Sequence, residues 1–388
     1  MPAITKILSS LNDYELKLKE LSELILANIV MLGEIPSPTF NEAARVRFLI
    51  ERFSENRMLN CSTDEKGNGL GIIPGERGDR NILIVAHTDD IFDEKVDHTI
   101  SVQPQYLSGP GIGDNALGVA ALASLPSILE HLNIKLQSNL VLMGSSRSLG
   151  KGDIEGLRFF LENSNLPITS GICVEGVKLG RLSYSSIGMI RCELTCEVPE
   201  QYDWTRFGAV GSIVTINEVI NRILEIPLPK RPRCNIAFGS IEGGKSFNAP
   251  ASKAILRFEI RSESGEMVSR VYKHITNIAS EVSSHTGEEI SLDVLARRHP
   301  GGIEFAHPLA SAARQIMTHL NIKPRISPST SELAAFIAKN IPALTIGLTT
   351  GDNMERFEES IEISPIYTGL TQLIGLIQTI DQGYSNET

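Results

Sequence analysis

The sequence predicts an α/β domain interrupted by a smaller β-α-β-β-α-β module of ferredoxin-like type. Short apolar, β-branched runs at Asn81–Ala86, Asn139–Leu142 and Gly171–Val174 are too short and too unperiodic for helices and read as buried strands. Segments with helical apolar spacing lie between them, the alternation that builds a mostly parallel sheet. From about Leu182 to Ala296 the order changes to strand, helix, strand, strand, helix, strand. The 388 residues are enough for two or three domains and a sizeable core. The expected division is 1–180 with 298–388 as the main domain, and 181–297 inserted into it.

Composition narrows the class. The chain is 41% hydrophobic and 21% charged, as in an ordinary soluble globule. A net charge of -10 argues against a nucleic-acid partner. No apolar run is long enough to span a membrane, and the start MPAITKILSS lacks the features of a signal peptide. The five cysteines are scattered, and Cys192 and Cys196 fall in a strand-like segment where structural thiols are expected. The cytoplasm is the expected location.

Taken in order, Leu16–Leu32 has helical spacing and Ile35-Pro-Ser-Pro-Thr-Phe breaks it. Asn41 is placed to cap a second helix running through Phe53. Asp64–Gly75 reads as two strands with tight turns. The Asn81–Ala86 strand ends on His87-Thr-Asp89-Asp90, at the carboxyl edge where open α/β sheets build their sites. Residues two apart on a strand share a face, so Asp89 can bond the far ring nitrogen of His87 and orient it. Gly109-Pro-Gly-Ile-Gly-Asp114-Asn115-Ala-Leu-Gly118 then leads into an apolar helix, with Asp114 either a cap or a ligand. The Gly171–Val174 strand ends on Glu175. In the inserted module the strands are Leu182–Val198, Cys234–Ile241, Ile255–Ile260 and Ile290–Ala296, and the helices Val210–Leu224 and Met267–Ser283. A helix over His307–Leu320 opens the return to the main domain.

The order strand, His-x-Asp, Gly-rich loop, Asp-Asn, helix resembles the two-metal aminoacylase, peptidase T and acetylornithine deacetylase type of metallopeptidase. The resemblance runs over nearly the whole chain. Glu42 fits the acid after the family's Pro-Ser turn, and Gly152-Asp-Ile-Glu-Gly-Leu-Arg158 fits the continuation after its Glu-Glu pair. Glu242-Gly-Gly-Lys-Ser-Phe-Asn248 matches a Gly-Gly-x-x-x-Asn turn whose Asn contacts substrate. Arg261 matches an Arg often found there, Ser329-Thr-Ser-Glu-Leu matches Ser-Thr-Asp-Ala-Asn with the Asp lost, and Asn340–Leu348 matches the last core strand. The resemblance implies a zinc-exopeptidase-like α/β domain with an inserted lid and dimerisation domain. It further implies His87, Asp114 and Glu175 as metal ligands, and Asn248 and Arg261 as substrate-binding residues. A histidine that reaches the partner's active site from the lid is absent, Glu200-Gln-Tyr202-Asp203-Trp204 standing in its place ahead of Phe207-Gly208.

Three further departures touch the chemistry. Ser146 and Arg147 stand where the family has the general-base Glu and a metal-binding Glu, and Glu355 replaces the second metal's His. His87, Asp114 and Glu175 still make one N/O ligand set, so at most one zinc or other divalent ion is expected. Arg147 is expected to stand in for the second ion, bridging Glu355 and Asp114. Ser146 cannot act as a carboxylate base, and Asp90, Asp153 and Glu155 are the alternative candidates. The resulting expectation is lost or much reduced hydrolysis, with a cleft kept for a small peptide-like or N-acyl amino acid ligand and a homodimer formed through the lid. The alternatives are an active one-metal amidohydrolase or exopeptidase, and a non-catalytic scaffold.

Overall fold

The computed structural model describes residues 2–198 and 211–383. The chain divides into two compact units, Met1–Ser185 with Gly302–Thr388, and Ser186–Gly301. The first boundary falls later than the sequence places it. Arg181–Ser183 pairs with Ala343–Thr349 and with Arg325–Ile326, so it belongs to the large sheet.

That sheet has eight strands, in the order Leu59–Thr63, Gly69–Ile73, Asn139–Ser145, Asn81–His87, Ile168–Val177, Ala343–Thr349, Arg181–Ser183, Arg325–Ile326. The four central strands are parallel to one another, and the strands flanking them on either side are antiparallel to them. Helices cover both faces, so these strands are apolar throughout rather than alternating, and every residue of Asn81–His87 and Ala343–Thr349 is buried. Asn81–His87 lies between Asn139–Ser145 and Ile168–Val177, the next two strands of this sheet in chain order. The connections leaving Asn81–His87 and Ile168–Val177 therefore run in opposite directions, and the boundary between the two strands is the kind of switch point where a crevice opens at the carboxyl ends.

Several sequence expectations change at the helices. Leu16–Leu32 is two helices, Pro2–Glu20 and Ser22–Gly33, joined at Leu21. Asn41 does not cap the next helix, which begins at Ala43 without a side-chain cap. Instead the Glu42 carboxylate accepts hydrogen bonds from Phe40 N and, across the fold, from Arg147 N. Asp64–Gly67 is a turn between Leu59–Thr63 and Gly69–Ile73, so only one of the two strands lies beyond it. One apolar stretch does reach spanning length. Ile112–His131 has 20 residues and mean hydropathy 1.4, but 89% of its apolar window is buried in the core, the place of a central helix between sheet and outer helices.

The second unit has the order Gly188–Glu197, Ser212–Leu224, Cys234–Gly243, Lys253–Ser262, Gly265–Thr286, Glu289–Arg298. Its four strands form one antiparallel sheet in which Lys253–Ser262 and Gly188–Glu197 are central. This is the ferredoxin-like arrangement. Alternation along Gly188–Glu197 buries Ile190, Cys192, Leu194 and Cys196 against the two helices. Burial pushes the Cys192 thiol up to about 12, as expected of an inert structural cysteine. The stretch 200–208, where the lid histidine is replaced, lies outside the described residues.

Candidate metal and ligand site

The first unit brings His87, Asp114 and Glu175 together. His87 is the last residue of its strand, and Glu175 lies near the end of the neighbouring parallel strand. His87 Nε2 is 3.0 Å from Asp114 Oδ1 and 3.8 Å from Glu175 Oε2. One ligand atom from each of the three lies within 4.8 Å of the others. One imidazole nitrogen and two carboxylates suit a divalent ion such as zinc.

Asp114 is brought there by its neighbour. Asn115 is fully buried; its Nδ2 donates to Val174 O (2.9 Å) and its Oδ1 accepts from Gly176 N (2.8 Å). The amide thus pins the loop to the backbone on either side of Glu175. The close approach demands two glycines. A Cβ on Gly118 would meet Asn115 Oδ1 at 2.2 Å, and one on Gly176 would meet Gly113 O at 2.3 Å. From the other side, Glu359 Oε1 accepts from Gly113 N (2.5 Å) and Asp114 N (2.9 Å). Asp114 is therefore not a helix cap; its carboxylate faces His87.

Asp89 orients His87, but chiefly through its backbone. Its carbonyl accepts from His87 Nδ1 at 2.9 Å, while its carboxylate Oδ1 lies 3.4 Å away. The other oxygen accepts from Thr39 Oγ1, Ser148 N and Leu149 N. An imidazole held at Nδ1 by a carbonyl presents Nε2 to a metal.

Charge in this cluster is shared unevenly. Burial opposes the imidazolium, yet the bonds to Asp114 and Asp89 outweigh it and raise the His87 pKa. Burial also opposes the Asp114 charge, but His87 and then Arg181 hold that carboxyl below its usual range. Glu175 is moved up, since burial prevails over Arg181 and His87.

The replaced positions are not arranged as the sequence suggests. Arg147 does not bridge Glu355 and Asp114. Its Nη1 pairs with Glu155 Oε2 at 3.0 Å, and the guanidinium lies 5.8 Å from the Phe40 ring centre. Glu155, which opens the next helix and also pairs with Lys66, is the acid that captures it. The cation that stands beside the cluster is Arg181, with Nη1 3.6 Å from Glu175 Oε1. Glu355 lines a cavity of about 470 Å³ together with Asp114 and Arg181. Ser146 is buried, and its hydroxyl donates to Lys66 O at 2.7 Å.

None of the three substitute bases is free. Asp90 is fully buried against Arg45 (2.9 Å), Asp153 pairs with Arg158 (3.3 Å), and Glu155 is shared between Lys66 and Arg147. The carboxylate the sequence reading passed over is Glu332. It is 3% exposed, its Oε1 has no hydrogen-bond partner among the described residues, and its charge acts on both His87 and Glu175. Asn248 and Arg261 belong to the second unit. Asn248 sits on an exposed turn, accepting from Ser246 Oγ at 2.9 Å, and Arg261 is paired with Glu259.

Comparison with known proteins bears on the fold. No family profile and no curated protein matches the sequence. Solved structures do match in shape. The dipeptidase Dug1p of Saccharomyces cerevisiae superposes with a TM-score of 0.78 at 12% identity, covering 96% of this chain and 99% of that one. Human carnosine dipeptidase 1 gives 0.75 at 12% identity, with coverages of 96% and 99%. The YXEP protein of Bacillus subtilis, a dinuclear metal-binding peptidase of the M20 family, gives 0.67 at 13% identity, with coverages of 94% and 99%. The chain therefore has the fold of the M20-type metallopeptidases, with a possible metal site at His87, Asp114 and Glu175.

Proposed function

We propose that this chain is a metallopeptidase or amidohydrolase-type protein that holds one divalent ion, zinc in the first instance, through His87, Asp114 and Glu175. It keeps a cleft for a peptide-like or N-acyl amino acid ligand, with hydrolysis lost or much reduced. The observation that carries the metal reading is the convergence of one nitrogen and two carboxylate oxygens within 4.8 Å. Arg181 beside Glu175 supports one ion rather than two, because a fixed guanidinium competes with a second ion's charge. When bound, such an ion polarises a carbonyl and acidifies water. The protein's own part is to hold His87 at the right tautomer through Asp89, and to hold Asp114 against Glu175 through Asn115 and Glu359. Reduced turnover is supported by the state of the base position, where Ser146 is tied to Lys66 O and Arg147 to Glu155. Loss of a general base is worth about 10²–10⁴-fold in rate.

The test is zinc stoichiometry by calorimetry, alongside assays on N-acetyl amino acids and dipeptides. One ion per chain, lost in His87→Ala, with turnover at background, is the expected result. Two ions per chain, or robust zinc-dependent hydrolysis, overturns the corresponding part. A second reading, an active one-metal hydrolase, is favoured by Glu332, a buried carboxylate with an unpartnered oxygen beside the cluster. It predicts turnover that Glu332→Gln abolishes without changing the zinc stoichiometry. The five unpaired cysteines support a cytoplasmic setting, and the inserted unit is the proposed homodimer face.

A further inference from the structure

Another cavity lies at the opposite flank of the large sheet and shares no lining residue with the one beside Asp114. It is built by alternation along Gly69–Ile73. Gly69 and Gly71 face the helix Ala43–Glu55, where a Cβ would meet Val46 at 3.1 Å and Phe53 at 2.8 Å. Leu70 and Ile72 therefore point to the other face, beside Val141, the register partner of Ile72 on the next strand. The helix Glu155–Asn163 covers that face only in part. Phe160 is buried, while Phe159, Leu70 and Ile72 stay half-buried. These five side chains floor a cavity of about 370 Å³. Its rim is polar and of one sign. Asn60, Ser62 and Asp64 alternate along the edge strand and into its turn, with Glu65 beside them. Asp64 accepts from Lys66 N (2.9 Å), Asn68 N (3.1 Å) and Asn68 Nδ2 (2.6 Å), so its carboxylate is fixed in place. Among the described residues, the Glu65 carboxylate has no ion-pair or hydrogen-bonding partner, and no lysine or arginine lines the cavity. Lys66, whose ammonium lies 5.7 Å from the Phe159 ring centre, is neutralised by Glu155 at 2.5 Å.

We infer that this cavity is a second ligand site, which takes a small organic cation with an aromatic body. The volume is at the lower end for small-molecule sites, so the occupant is a compact amine. Phe159 and Phe160 offer aromatic surface to a ring. An ammonium brings three donors and a positive charge to a mouth that holds two carboxylates and the side-chain oxygens of Asn60 and Ser62. An anion would meet Asp64 and Glu65 with nothing to offset them. The edge itself argues against a peptide strand as the occupant. Leu59–Thr63 is the outermost strand, but its pairing with Gly69–Ile73 shifts between Leu59 and Ser62, and Asn60 has a φ of 54°, irregularities that blunt a sheet edge. This site uses neither the metal cluster nor its cleft, so it stands or falls apart from the proposed function.

The experiment titrates the full chain in EDTA, at neutral pH and low ionic strength, by ligand-observed NMR. The probes are phenethylamine, phenethyl alcohol and phenylpropionate, which share a body and differ in charge. The amine is expected to saturate with a Kd on the order of 0.1–1 mM. The alcohol should bind about tenfold more weakly, and phenylpropionate not at all. Ser62→Trp, at an exposed position, fills the mouth and should abolish amine binding. Glu65→Gln, also exposed, should weaken the amine about two- to fivefold, the value of an exposed ion pair, and leave the alcohol unchanged. Unchanged thermal midpoints confirm that the variants fold; should Ser62→Trp fail to fold, Glu65→Gln decides alone. Equal binding of amine and alcohol overturns the inference. So does a preference for phenylpropionate, the lack of saturable amine binding, or an amine affinity unchanged in either folded variant.

Discussion

Glu359 offers a sharp test of how the loop before the central helix is held. Its carboxylate is fully buried and accepts from Gly113 N, Asp114 N and Glu355 N. Burial and the nearby Asp114 charge outweigh those three donors, and the carboxyl is pushed from 4.5 up to about 7. The folded chain therefore keeps a proton on Glu359 that the unfolded chain gives up from about pH 4.5. Stability from this group is complete below the unfolded value. It falls between pH 4.5 and 7, then levels off once both states are ionised. At 1.36 kcal/mol per pH unit, the loss amounts to about 3 kcal/mol. Glu359→Gln removes the ionisation and keeps an acceptor for Gly113 N and Asp114 N. Urea unfolding of both proteins in EDTA, at intervals from pH 4.5 to 7.5, isolates the effect because the other groups are common to both. The stability difference should move in favour of the variant by about 3 kcal/mol as pH rises across that window. A difference that stays constant within about 1 kcal/mol refutes the argument.

The other predictions concern the supports of the same site. Arg45 and Asp90 form a fully buried pair, with Arg45 also donating to Thr88 O and Ile35 O, so Arg45→Met should cost about 3–5 kcal/mol in urea unfolding. Asn115→Ala leaves Val174 O and Gly176 N unpaired in the core. It should lower stability by about 1–3 kcal/mol and weaken zinc binding in a calorimetric titration, because Asp114 loses its tether to the Glu175 strand.

Much of the fold was legible in the sequence, because parallel strands buried on both faces must be apolar throughout. The runs ending at His87 and Glu175 show that pattern without any knowledge of their neighbours. The β-α-β-β-α-β order of the inserted unit could likewise be read from periodicity, since its two central strands and both helices each have one buried face. The metal trio was implied by the family resemblance, with His87 and Glu175 toward strand ends and Asp114 in the Gly-rich loop before the central helix. The helix details were less legible. The break at Leu21 and the uncapped start at Ala43 have no periodic signal, and Glu42 is used for a contact 105 positions away.

The sequence by itself determined which residue types stand at the ends of the core strands, and its resemblance to a known family suggested that Ser146, Arg147 and Glu355 take the places of a base and second-metal residues. Only the tertiary structure decided which charge answers which. Local sequence offered Arg147 as the compensating cation, but the nearby Glu155 captures it, and Arg181 stands beside Glu175 instead. Glu359 supports Asp114 from 245 positions away, and Arg325 is set beside Arg181 by strand pairing. Electrostatic partners are chosen by distance and burial in the folded chain, and a linear pattern encodes neither.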